Sequence, residues 1–149
     1  MQKRLVSGII LAVYSGILIK LLVLKNIVFK IGRFRFRFAD RGNRQANFLP
    51  FKTILFYLQG NPTWLIATIN LVGNIALFIP IGFLASIVYP KMTWQKFLVL
   101  GITFSLVIEL MEVVLRVGIF DIDDIILNAL GIMIGFWIFA LMIPAVRRV

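Results

Sequence analysis

Between Thr53 and Pro90 the chain carries no charged residue. As one helix this stretch would be about 57 Å long at 1.5 Å per residue. That is nearly twice the hydrocarbon core of a bilayer, about 30 Å. The stretch therefore has to break, and Gly60-Asn61-Pro62 is where it can. Asn61 can cap a new helix, and Pro62 fits a first helical position. This predicts a span over about 63–88, with Pro90 just beyond it. Pro80 lies inside and is expected to kink or unwind the helix.

Three further stretches are long and apolar enough to cross a membrane, over about 5–24, 97–115 and 125–145. Lys20 interrupts the first, close enough to an end to snorkel. Lys3 and Arg4 ahead of an apolar run also fit a signal peptide, but no small-x-small cleavage site precedes Lys25. Composition agrees: 61% of the 149 residues are hydrophobic and 15% charged. Soluble domains run at about 45–50% and about 25%. The fold class read from this is an all-α integral membrane protein, a four-helix transmembrane bundle forming a single domain over 1–149. The chain has no Cys and no His. Zinc fingers, thiol nucleophiles, disulfide scaffolds and His-based triads are excluded.

The segment between the first two spans, about 25–62, is basic. From Ile27 to Phe38 it alternates with period two, setting Phe34, Phe36 and Phe38 against Arg33, Arg35 and Arg37. That pattern suits a short amphipathic strand or hairpin at the interface. Residues 40–47 read as turn, and 51–58 as a short interfacial helix. The bland role for this loop is headgroup binding. The sharper one is that one or two arginines, from among Arg33, Arg35, Arg37, Arg41, Arg44 and Arg116, lie over an acidic mouth and gate it. Alternating aromatics belong to an interfacial face, so no nucleic-acid partner is expected.

Four crossings put both termini on one side. The face with the long loop then carries nine bases, and the other face carries six: Lys3, Arg4, Lys91, Lys96, Arg147 and Arg148. The positive-inside rule narrowly favours the long loop in the cytoplasm. All six acids share the long loop's face whichever way the chain is oriented.

Five of those acids, Glu109, Glu112, Asp121, Asp123 and Asp124, fall within sixteen residues. Glu109, Glu112 and Arg116 lie on one helical face, and Ser105 extends it inward. They form either a polar pocket or, for Glu112 and Arg116, a local ion pair. Asp121 and Asp124 have the spacing of a capping box with a shorter acid. Asp121, Asp124, Asn128, Gly131 and Gly135 form one stripe. It runs from a polar mouth through a buried Asn to a surface where another helix, including one from a second copy, can approach closely. Asn70 and Asn74 are one turn apart on the second span, on the same membrane face. They either fix the bundle by interhelical hydrogen bonds or line the acidic pocket.

Four blocks carry a family resemblance. These are Asn47 to Ile54 (NFLPFKTI), Asn70 to Phe83 (NLVGNIALFIPIGF), Ser105 to Glu109 (SLVIE) and Phe120 to Gly131 (FDIDDIILNALG). In order and content they resemble the VanZ-like family over about 47–136. The resemblance implies a small multi-pass protein of the bacterial cytoplasmic membrane. It also implies an association with low-level resistance to the glycopeptide teicoplanin. The family often has Gln where this chain has Glu112, and often Arg just ahead of the Asp block, where this chain reads Arg116-Val-Gly-Ile-Phe120.

The residues and the resemblance together favour a non-enzymatic protein that binds an envelope lipid, a cell-wall precursor or an amphiphilic glycopeptide-type drug. The ligand pocket would be Glu109, Glu112, Asp121, Asp124, Asn128, Asn70 and Asn74. No catalytic residue and no obligatory cofactor are assigned. One alternative is an enzyme acting on lipid-linked phosphate through Mg²⁺ or Ca²⁺ held by Glu109, Asp121 and Asp124. Another is a dimeric ion- or proton-coupled transporter.

Overall fold

A computed structural model describes residues 2–24, 29–31, 34–36, 46–115 and 118–142. Helix α1 (Gln2–Leu24) is followed by strands β1 (Phe29–Ile31) and β2 (Phe34–Phe36). Helices α2 (Lys52–Leu58), α3 (Trp64–Val88), α4 (Trp94–Val114) and α5 (Ile122–Met142) complete the chain. The fold is a helical bundle in which α1, α3, α4 and α5 are each long and apolar enough to cross a membrane. The strands pair antiparallel, with Phe29 opposite Phe36. They fall where period-two alternation was read. Arg33, Arg37, Arg41, Arg44 and Arg116 lie outside the described residues, and Arg35 is described only as backbone in β2.

Helix α5 is the centre of the bundle. More than half of its apolar window is buried (56%), against 17% for α1. It packs between α3 and α4, and α1 packs on α3. Lipid gives helices no hydrophobic reason to associate, so the interface depends on close approach. Small residues provide it. A Cβ on Gly82 would run into the carbonyl of Ile132, and Cβ atoms on Gly131 and Gly135 would run into the carbonyls of Ile75 and Ile79. Phe78, Ile132, Phe97 and Ile108 fill the core around this seam, and the rings of Phe97 and Phe136 lie 4.7 Å apart. Large apolar residues of α1, among them Leu5, Ile9, Val13 and Ile17, remain exposed, as a lipid-facing surface requires.

Several expectations need correction. The cap of α3 is Thr63, not Asn61: its side chain accepts from the Ile66 amide, and the helix starts at Trp64, two residues after Pro62. Pro80 does not unwind α3, which is helical from Trp64 to Val88. One turn before it, the Tyr14 hydroxyl of α1 donates to the Leu77 carbonyl at 2.9 Å and ties α1 to α3. Helix α5 begins directly after Asp121, as the capping spacing predicts, three residues ahead of the apolar span read over 125–145. The Gly131–Gly135 surface is occupied by α3 of the same chain, so these glycines are not open to a second copy.

Gly82→Ala is expected to lower bundle stability by about 1–3 kcal/mol, because backbone must move to admit the methyl group. Gly73→Ala on the same helix meets nothing within 4 Å and should leave stability unchanged or slightly raised. Thermal unfolding of the two variants in detergent checks the contrast.

A polar clasp at one end of the bundle

Three acids open α5, and each has a different task. Asp121 precedes the helix, and its Oδ1 accepts the Asp123 amide at 2.9 Å, as an N-cap does. The Asp121 amide, the other half of a capping box, is met from outside the helix. Glu109 of α4 meets it, its Oε2 accepting the Asp121 amide at 3.0 Å. The capping box is thus closed by a residue from another helix. This fixes the C-terminal part of α4 against the start of α5.

Asp123 is fully buried, at 0% exposure. It does not serve its own helix. Its carboxylate accepts the backbone amides of Phe51, Thr53 and Ile54 at 2.5, 2.7 and 3.1 Å. These are the orphan donors at the start of α2. No side chain of α2's own N-cap does this, because that position is Phe51. Phe51 sits at φ 66°, in the left-handed region, which costs a bulky residue roughly 1–2 kcal/mol. Charge-assisted bonds from a buried carboxylate are each worth about 1.5–3 kcal/mol, enough to hold that conformation.

The segment ahead of α2 is tied to the same place. Asn47 forms a single parallel bridge with Asp121. The Asn47 amide donates to the Phe120 carbonyl at 2.8 Å, and the Ile122 amide donates to the Asn47 carbonyl at 3.0 Å. The Asn47 side chain donates to Asp121 Oδ1 at 2.8 Å and to Thr53 Oγ1 at 3.1 Å. Thr53 in turn donates to Asp121 Oδ2 at 2.7 Å. The rings of Phe48 and Phe120 stack over the junction at 5.1 Å.

Asp124 faces the other way, toward α3, and accepts the Asn74 side-chain amide at 2.6 Å. Asn74 thus joins the acids. Asn70 does not, since its amide donates to the Ile66 carbonyl of its own helix at 2.7 Å. Glu109 and Glu112 are both buried. Gly118 lies so close to the Glu112 carboxylate that a Cβ there would strike it. Among the described residues no group of three or more acids is disposed to hold a metal ion.

One turn below the acids lie two groups of another kind. Ser105 Oγ and Asn128 Oδ1 are buried with no hydrogen-bond partner. The two residues are 0% and 3% exposed. They belong to facing antiparallel helices. Gly101 meets Ala129 and Ile132, and Glu109 meets Asp121, so Ser105 lies level with the turn containing Asn128.

Asn47 and Thr53 were not among the expected site residues, yet they hold Asp121. The signal for them was the short NFLPFKTI block, which carries no unusual charge and reads locally only as a turn entering a helix.

These features define a class: a multi-pass membrane protein whose helices are tied at one end by a buried polar clasp. The chain belongs to the VanZ/LLP1 family, whose model matches residues 11–143. No curated protein matched the chain, and neither did any solved structure.

Asp123→Ala should release the start of α2, because three amides lose their acceptor. A lost cap costs about 1–2 kcal/mol, so the Thr53 and Ile54 amides are expected to exchange with deuterium roughly tenfold faster or more. Amides in the middle of α5 should be little changed.

Proposed function

We propose that this chain is a non-enzymatic protein of the bacterial cytoplasmic membrane that binds an envelope lipid at the clasped end of the bundle. Low-level tolerance of glycopeptides such as teicoplanin would follow from what that binding withholds from the drug at the membrane. An amphiphilic glycopeptide would itself be a competing occupant of the same site.

The observation that carries the reading is the pair of orphaned atoms, Ser105 Oγ and Asn128 Oδ1. Asp121, Asp123, Asp124 and Glu109 all have protein partners. The unfilled hydrogen-bonding capacity of this region therefore lies just beneath them. A buried acceptor without a partner costs about 1–3 kcal/mol, and a chain that needed only a packed bundle would gain by replacing it. Around the mouth, Phe48, Leu49, Phe51 and Leu55 are exposed. An apolar rim beside polar acceptors suits an amphiphile. The gating role for the loop arginines belongs to this proposal too, as a source of contacts to a phosphate-bearing headgroup.

Lipid analysis of the purified protein tests the reading. Asn128→Leu is expected to keep or raise thermal stability while reducing a specific co-purifying lipid severalfold. Asp124→Asn should reduce the same lipid. If Asn128→Leu is more stable and its lipid content is unchanged, the amide is only a flaw in packing and the reading fails.

A further inference from the structure

Two adjoining hollows, of about 550 and 390 Å³, lie between the start of α1 and the turn joining α3 to α4. They share Arg4 and Pro90. Lys3 and Arg4 come from α1, Lys91 from the turn and Lys96 from the first turn of α4. All four are exposed, and none has an ion-pair partner among the described residues. The nearest acid along α4 is Glu109, about 20 Å further on at 1.5 Å per residue.

Three more observations give this end a chemistry. Thr93, the N-cap of α4, makes no side-chain cap bond. The orphan amides and positive dipole end of a long helix therefore adjoin Lys96. Val6, Ile87 and Phe139 line the larger hollow with apolar surface. Tyr89 and Trp94 are exposed at the same level, where aromatics mark the headgroup region.

We propose that this cleft binds an anionic phospholipid. The headgroup phosphate would sit among Arg4, Lys91 and Lys96, with the first part of an acyl chain over Val6 and Ile87. Charge selects the headgroup: four bases with no acid beside them among the described residues attract a phosphodiester and discriminate against a zwitterion. The apolar floor selects a lipid over free phosphate. The site is at the opposite end from the clasp, so its failure would leave the reading of the clasped end untouched.

The test uses the full chain in detergent, with Trp64→Phe and Trp137→Phe leaving Trp94 as the one remaining tryptophan of three. Quenching of Trp94 by brominated phosphatidylglycerol is followed against brominated phosphatidylcholine. Half-quenching is expected at about tenfold lower concentration for the anionic lipid. Arg4→Gln with Lys91→Gln should abolish that preference, whereas Lys20→Gln, near the far end of α1, should preserve it. Equal quenching by both lipids overturns the proposal, as does a preference that survives the double variant. Displacement of the anionic lipid by millimolar inorganic phosphate would assign the cleft to free phosphate and overturn it too. Should the double variant not fold, unsubstituted cleft residues give the same answer: raising salt from about 50 to about 500 mM must erase the preference, and a salt-independent preference counts against the site.

Discussion

A carboxylate removed from water must be met by donors, and Asp123 is removed from water completely. Its two oxygens accept three backbone amides at the start of α2. Much of this end of the molecule depends on that contact. It gives a seven-residue helix, too short to be stable alone, a fixed seat on α5. It holds Phe51 in a conformation that would otherwise be costly. It also brings Asn47 and Thr53 to where they can satisfy Asp121. An apolar side chain at position 123 would leave the amides of α2 to find partners in the headgroup region, where nothing specifies one orientation.

The neighbouring contacts extend the same logic across the bundle. Glu109 closes the capping box that Asp121 opens, so α4 and α5 cannot slide past one another without breaking a charge-assisted bond. Asp124 and Asn74 do the same for α5 and α3. Lower down, where no ions are available, Gly82, Gly131 and Gly135 let the α3 and α5 backbones touch. The bundle is thus held by polar bonds near one interface and by close packing through the membrane interior. Each is the stronger device where it is used: polar groups need the partners found near the interface, and close packing needs a dry seam.

Sequence made the helices legible because their signals are local. Apolar length, the break at Gly60-Asn61-Pro62 and the short helix before it all come from neighbours along the chain. The gathering of acids at one end was legible too, since it needed only the order of the spans. What the acids bind was not. Asp121 and Asn47 are far apart in sequence, and no periodicity connects them. In sequence Asp123 is one more acid in a cluster of five, and only the fold reveals that it serves another helix. The glycine stripe displayed its smallness but not its partner, so α3 and a second copy could not be told apart. The orphaned atoms of Ser105 and Asn128 were invisible for the same reason: whether a polar group has a partner is a tertiary fact.

The net charge of +10 takes on a different meaning once the ends are compared. At the clasped end the described acids are engaged inside the protein, so little of their charge is offered outward. At the far end Lys3, Arg4, Lys91 and Lys96 have no such internal work among the described residues. Interfacial bases that serve only as anchors can sit anywhere around a bundle's rim. These four instead gather about one apolar cleft, beside a helix start whose own N-cap provides no side-chain bond. Charge used internally builds the fold, and charge left unpaired beside a cavity is available to a ligand. By that criterion the acids account for the architecture, while the exposed bases mark a surface where this chain can recognise an anion.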